Sequence, residues 1–461
     1  MARNGFELNP KDPKGRQSAG NTFLEAYFRY SGNSDHTVIV PNHDEAKWFH
    51  NKALRYKSNA KTTAFMLNEW NEGSSKTGTF HVPDPILSQW AWRRMPFGDS
   101  NFSLLGIVHT LCSFNVQNAL GQFNCAPLRS WDALICTSTC AQQVVKGFLE
   151  RQEEWLRHHL RAQRFERPQL PVIPLGIHPE EWMPTTKLSR QDIRQKIRHD
   201  LNLPMDAELV LLSGRLDLLT KMQPDPILRT LQSLASSSHP KLQLLIYGEA
   251  PNETMLNIWK QGARELAPDL IIHWFPGRRI ELAGPVRWAA DLFLSLPDNP
   301  QETFGITPLE AMAAGLPCLV SDWNGYRDTV IQPGEAGDAT GFRITTRMQQ
   351  GLGLEEAIGL LNETIPFGSA VGRLAQGIAV DLDELKAKLV LLLETPSLRD
   401  TMGRSGMRRV QEHYAWSAVI EQWRSLVLEV TDRRQLAVMK GICTPPQLPP
   451  WMPDTSTGYG A

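Results

Sequence analysis

Residues 301–317 read Q-E-T-F-G-I-T-P-L-E-A-M-A-A-G-L-P, a loop that turns into a helix and carries carboxylates at Glu302 and Glu310 with seven residues between them. Thr307, Pro308 and Glu310 fall at the N-cap, first-turn and capping-box positions that satisfy orphan backbone donors. Such an end is an anion site. Its unpaired N–H groups and the positive end of the helix dipole favour a phosphate, and Gly305 lets that phosphate approach the backbone. Glu302 stands just outside this mouth, where it can accept hydrogen bonds from sugar hydroxyls beside a bound phosphate. Glu310 has two readings on chemistry alone: a ligand to the same molecule, or only the acidic half of a capping box.

The sixteen residues from Glu302 to Pro317 resemble the E-x7-E signature of glycosyltransferase family 4, retaining nucleotide-sugar-dependent transferases with the GT-B fold. The resemblance implies an α/β chain of two Rossmann-like, doubly wound parallel-sheet domains facing a cleft. Residues 1–185 would form the acceptor-side domain and 186–416 the donor-side domain. A helix at 417–430 would brace the first domain, ahead of a Pro-rich tail at 431–461, which from Cys443 onward cannot continue a helix and is expected to be extended or disordered. The implied activity moves a sugar from a nucleotide-diphosphate donor to an acceptor hydroxyl by front-side displacement, with no metal and no other cofactor. Glu302 would orient sugar hydroxyls, Glu310 would hold the ribose, and Phe304, Gly305, Ile306 and Thr307 would line the donor.

Short apolar runs at 209–213, 242–248, 271–275, 291–296 and 317–321 alternate with helical stretches, after a charged helix at 189–201. Alternation of this kind argues for a doubly wound parallel sheet. The first run ends in S-G-R-L-D-L-L-T-K at 213–221. An arginine and a lysine converging beyond a strand end can cradle a pyrophosphate, Arg with its fork and Lys as a point charge. Asp217 is a competing partner for Arg215. The segment resembles the family's G-R-L…K element, which implies that Arg215 and Lys221 hold the diphosphate, and glycine turns at Gly248 and Gly277 would let the base lie against the backbone. Asp381 and Asp383 form a D-x-D, but they open a helix, where N-cap and dipole roles suffice. They are not read as a metal site.

Toward the N-terminus, Thr22 and Glu25 form a second capping box ahead of an apolar face of Phe23, Leu24, Tyr27 and Phe28. A glycine-bearing loop at that helix start places Gly20 toward donor or acceptor, as the family's N-terminal glycine loop implies; an ordinary helix-start glycine is an equal reading. Residues 37–40 read as a buried strand, and 42–79 carry no clear pattern. Residues 85–97 combine Trp90 and Trp92 with Arg93 and Arg94, either a patch for an acceptor or membrane surface or a helix packing its tryptophans inward, the reading favoured here. The apolar run 104–108 ends at His109, just where open parallel sheets bind ligands. A lone histidine is usually structural, but the resemblance implies a sugar-facing histidine at this position. Residues 130–138 and 172–178 resemble the following strand and the segment leading to the hinge, with His178 where the family commonly has aspartate.

The length of 461 residues suits two or three domains, and 41% hydrophobic with 21% charged residues is a globular composition. A net charge of -1 argues against a nucleic-acid partner. There is no apolar run of about eighteen residues and no signal-peptide segment, so a cytoplasmic location is expected, with peripheral membrane contact left open. The six cysteines form no CxxC pair and read as buried free thiols. The expected partners are a nucleotide-sugar donor and a carbohydrate or glycoconjugate acceptor. Two other readings share the fold: a disaccharide phosphorylase and a non-catalytic nucleotide-sugar binding protein. The sequence does not name the acceptor, the nucleotide or the oligomeric state.

Overall fold

The computed structural model describes residues 3–7, 15–184 and 189–452. The chain divides into two compact units, Met1–Gly176 with Trp416–Ala461, and Ile177–Ala415.

In the first unit β1 (Asp35–Val40) pairs in parallel with β2 (Lys61–Met66), and β3 (Thr79–His81), β4 (Ser103–Ile107) and β5 (Ala133–Ile135) form a parallel three-stranded sheet. Every residue of β4 and β5 is buried, as expected of parallel strands covered on both faces. The stretch without a sequence pattern is helix, strand, helix: His43–Tyr56 capped by Asn42, then β2, then Trp70–Thr77. It was unreadable because β2 buries only Phe65 and half-buries two more residues, leaving no run or alternation to see.

The helix Leu87–Arg94 sends Trp90 against Trp70 and Phe80, with ring centroids 5.0 and 4.7 Å apart. Arg94 is fully buried on Asp132 and on the Phe102 carbonyl, so this segment faces inward. Trp92 meets Trp451 of the C-terminal segment at 4.3 Å. That segment is extended along the unit, with the Thr444 amide on the Asp99 carboxylate and Gln447 on the Met95 carbonyl; Pro453 lies outside the described residues. The helix Trp416–Met439 also packs here, Trp423 lying 4.8 Å from the rings of both Phe23 and His81.

Two expectations fail in this unit: the C-terminal helix runs on to Met439, through residues expected to belong to the tail from 431, and Gly20 does not open a helix. The first helix starts at Gly15, not near Thr22, so Gly20 lies inside it. The Thr22 hydroxyl bonds back to the Ser18 carbonyl and Glu25 pairs with Arg29, leaving no capping box. A side chain at Gly20 would collide with the Gly5 carbonyl.

The second unit is built on one six-stranded, all-parallel sheet: β6 (Glu208–Arg215), β7 (Leu242–Glu249), β8 (Ile271–Pro276), β9 (Leu292–Ser295), β10 (Cys318–Ser321) and β11 (Gly341–Ile344). Its spatial order is β11-β10-β9-β6-β7-β8, the doubly wound arrangement in which the winding reverses between the first and fourth strands. Leu and Ile side chains of β6, β7 and β9 make the core with Leu228, Leu231 and Trp259 from flanking helices. Between β11 and the helix Leu382–Glu394 lies an excursion: the antiparallel pair β12 (Thr346–Met348) and β13 (Ile378–Val380) enclosing helices Leu354–Leu361 and Phe367–Ala375. Asp381 caps the helix that follows by accepting from the Glu384 amide, which accounts for the D-x-D. The cysteines are free, but only Cys136 and Cys318 are buried; Cys125 is exposed and the others are half-buried, so a thiol core was an over-reading.

Candidate functional site

In open α/β sheets ligands settle beyond the carboxyl ends of the strands at the point where the winding reverses. Here that point lies between β6 and β9, paired through Val210–Leu292 and Leu211–Phe293. The chain leaving β6 carries Arg215 and Lys221, and the chain leaving β9 carries residues 296–306 and then the helix Thr307–Ala313. The topology therefore brings Arg215, Lys221, Glu302, Phe304, Gly305, Ile306, Thr307 and Glu310 to one end of one sheet.

Lys221 is the centre of this group. Its ammonium contacts the Glu302 carboxylate, with both side chains mostly buried. Burial opposes the Lys221 charge, but Glu302 and Tyr326 beside it outweigh burial and raise the ammonium above the usual lysine range. Lys221 is therefore charged at any working pH. Arg215 is exposed at the strand end, and no described residue forms an ion pair with it. Asp217, expected to compete for Arg215, instead accepts from the Leu219 and Thr220 amides and the Thr220 hydroxyl. It shapes the turn that delivers Lys221, leaving Arg215 to solvent.

Gly305 has φ +89°, and a Cβ there would fall into the ring of Tyr326. No other residue meets both demands. The Tyr326 hydroxyl is buried, 3.0 Å from Ser295 Oγ and 3.5 Å from Thr307 Oγ1. Phe304 is buried against Tyr414 at 6.1 Å.

The capping box expected at this helix does not form. Thr307 is the first helical residue, with Ile306 at the cap position and no side-chain cap bond. Glu310 turns away from the helix end to meet the Arg287 guanidinium. Arg287 is 2% exposed. It also donates to the Ala283 carbonyl at 2.7 Å and Ser213 Oγ at 3.0 Å, between the rings of Trp182 and Tyr247. Burial pushes the Glu310 carboxyl up, and Arg287 opposes that rise. Sequence reasoning missed Arg287, because R-W-A-A-D at 287–291 looks like any helix-to-strand junction.

Gly248 and Gly277 were expected to let a base approach the backbone. A side chain at Gly248 would strike the Gly214 carbonyl, and one at Gly277 would come within 3.0 Å of the Glu249 amide. Neighbouring chain fills both spaces. His109 lies in the other unit, two positions past the end of β4, and its charge adds to burial in holding the His81 imidazolium pKa down at about 4. Gly20 is likewise in that unit. Among the described residues no three His, Cys, Asp or Glu side chains gather where they could hold a metal ion, and no helix is long and apolar enough to cross a membrane.

Residues 193–352 match the family described as Glycosyl transferases group 1. This segment resembles a group 1 glycosyltransferase domain. It holds Arg215, Lys221, Arg287, Glu302 and Glu310. The D-inositol 3-phosphate glycosyltransferase of Xylanimonas cellulosilytica is 29% identical over 162 residues, 35% of this chain and 36% of that protein. The protein of the same name from Kineococcus radiotolerans is 27% identical over 259 residues, 54% of this chain and 49% of that one. The chain thus spans about half or less of the curated relatives it matches. Among solved structures, sucrose-phosphate synthase from Thermosynechococcus elongatus superposes with a TM-score of 0.53 at 18% identity, over 93% of this chain and 94% of the other. HepE from Anabaena, in complex with UDP and glucose, gives 0.56 at 12% identity over 92% and 98%. These neighbours are GT-B glycosyltransferases, and the chain shares their α/β fold of two Rossmann-like domains.

Proposed function

We propose that this chain is a retaining, family 4 type glycosyltransferase that transfers a hexose from a nucleotide-diphosphate sugar to an acceptor hydroxyl, acting in the cytoplasm and without a metal. The observation that carries the reading is the Lys221–Glu302 contact at the reversal point of the group 1 domain. A mostly buried cation is held there beside a carboxylate, next to a glycine-opened helix start. Breaking the bond between the anomeric carbon and the phosphate oxygen builds negative charge on the leaving diphosphate. Fixed donors stabilise charge that develops where they already point. Lys221, Arg215 and the amides opening the Thr307–Ala313 helix supply such donors in place of a divalent ion. Glu302, released from Lys221 by the incoming phosphate, accepts from sugar hydroxyls, and Glu310 accepts from the ribose. The acceptor hydroxyl attacks on the face the diphosphate leaves and gives its proton to the departing phosphate oxygen as the new glycosidic bond forms, so the anomeric configuration is retained. His109 and the carbohydrate or glycoconjugate acceptor belong to the same proposal.

The two curated relatives are named as D-inositol 3-phosphate glycosyltransferases, which supports sugar transfer, and HepE was solved with UDP and glucose, which supports a sugar nucleotide as donor. The test is Lys221→Ala, assayed for release or transfer of sugar from UDP-, GDP- and ADP-hexoses. Removing one preorganised donor costs about 10²–10³ in rate. That loss, in a protein with unchanged circular dichroism, is the expected result; activity near wild type would remove Lys221 from the chemistry.

A further inference from the structure

Two consecutive side chains just past β9 grip the Lys221 loop from below. Asn299 Nδ2 donates to the Lys221 carbonyl at 2.6 Å, and Asp298 Oδ2 accepts from the Gln223 amide at 2.9 Å. Between those two points lies Met222, which is fully buried in the sheet core. Asn299 is 1% exposed and spends its remaining groups on the loop that carries Glu302. Its Oδ1 accepts from the Gln301 amide at 3.0 Å, and its own carbonyl accepts from Trp323 Nε1 at 2.9 Å and Asn324 Nδ2 at 3.4 Å. The turn bearing Trp323 and Asn324 is the one that seats Tyr326 in the niche of Gly305.

From this we infer that Asn299 is a positioning residue for the donor site: it locks the backbone of Lys221 to the loop of Glu302, so that the ammonium is presented to the diphosphate in one place. A lysine stem is long and flexible, with a large rotamer entropy to lose on ordering. The side-chain contact with Glu302 alone cannot fix it, and that contact must loosen when phosphate arrives. The grip on the carbonyl does not depend on the ammonium's partner, so it persists in both states. A misplacement of about 1 Å in such a group can cost about 10²-fold in rate.

The inference rests on the reading of Lys221 as a phosphate ligand, and a double-mutant cycle separates the two. UDP, GDP and ADP binding is measured by calorimetry on wild type, Lys221→Ala, Asn299→Ala and the double variant, with thermal unfolding run on each. Groups coupled in this way show interaction energies large enough to change binding about tenfold. We expect Asn299→Ala to weaken nucleotide binding about tenfold when Lys221 is present and less than about twofold when it is absent. If wild type binds no nucleotide, or Lys221→Ala binds as well as wild type, the reading of the site fails and the inference with it. If Lys221→Ala is weakened but Asn299→Ala is not, or if the Asn299 loss is the same in both backgrounds, the inference alone is overturned. Should Asn299→Ala not fold, Asn299→Ser takes its place: it keeps a small hydrogen-bonding group without adding charge and withdraws the amide that reaches the Lys221 carbonyl.

Discussion

At the scale of single residues, the buried charges of the site, Lys221, Glu302, Arg287 and Glu310, are paired with opposite charges. Asp298 is the exception, because Gln223 bonds one oxygen while no described residue donates to the other. Burial without a counter-charge pushes its carboxyl up to about 7. A carboxyl raised in the folded state binds more protons there than in the unfolded chain. Its contribution to stability is therefore full below the unfolded value near 4 and is lost as pH rises toward 7. Asp298→Asn removes that titration while keeping an acceptor for Gln223. In urea denaturation the variant should gain on wild type steadily as pH rises from about 4 to 8. A difference that stays flat, or runs the other way, would mean the carboxyl is charged and satisfied in the native protein. Gly305 shows the opposite economy: the sequence singled it out for phosphate access, and the structure adds a reason no sequence could show, the Tyr326 ring occupying the place of a Cβ.

At the scale of elements, the helix Thr307–Ala313 and the helix Ala283–Ala289 are joined through Glu310 and Arg287. Removing one partner of a buried pair leaves an uncompensated charge and costs about 3–5 kcal/mol, whereas replacing both can be close to neutral. Arg287→Met should lose stability on that scale at pH 8. The loss should shrink toward pH 5, because the Glu310 carboxyl, already raised by burial, rises further without Arg287 and takes up a proton. The Arg287→Met, Glu310→Gln double variant should recover much of the loss in urea denaturation. An equal loss at both pH values would place the cost in the packing of Arg287 between Trp182 and Tyr247 instead. The strands β6 to β10 were legible to within one or two residues, since most are apolar runs covered on both faces, as in L-V-L-L at 209–212, and the half-buried edge strand β8 still reads as I-I-H-W-F. β11 was not legible, because Arg343 interrupts a run of only four residues. Nor was the excursion at 346–380, whose helices expose Leu354, Ile358 and Leu361 and so read as neither core nor surface. The capping boxes at Thr22 and Thr307 failed for a shared reason. A local pattern offers the glutamate one partner, while the fold offered Glu25 an arginine one turn away and Glu310 a buried one 23 residues upstream.

For the whole molecule, the proposed phosphate, ribose and sugar-hydroxyl ligands all lie in the unit Ile177–Ala415. The motif-bearing half of the chain was readable because its chemistry needs particular residues at fixed spacing after a strand. In the N-terminal hundred residues, shape is set by aromatic packing among Phe23, Tyr27, Trp70, Phe80 and Trp90, and many sequences can supply that. The central claim is that Lys221 and Arg215, at the reversal point of the second unit, bind the diphosphate of a sugar nucleotide in place of a metal. Thermal unfolding of wild type and Lys221→Ala with UDP, GDP and ADP, each with and without EDTA, tests it most directly. At a hundred times its dissociation constant a ligand stabilises the native state by about 2.7 kcal/mol. The account predicts that one nucleotide raises the unfolding midpoint of wild type equally in EDTA, and that the shift largely disappears in Lys221→Ala. A shift abolished by EDTA, or one unchanged in the variant, would contradict it.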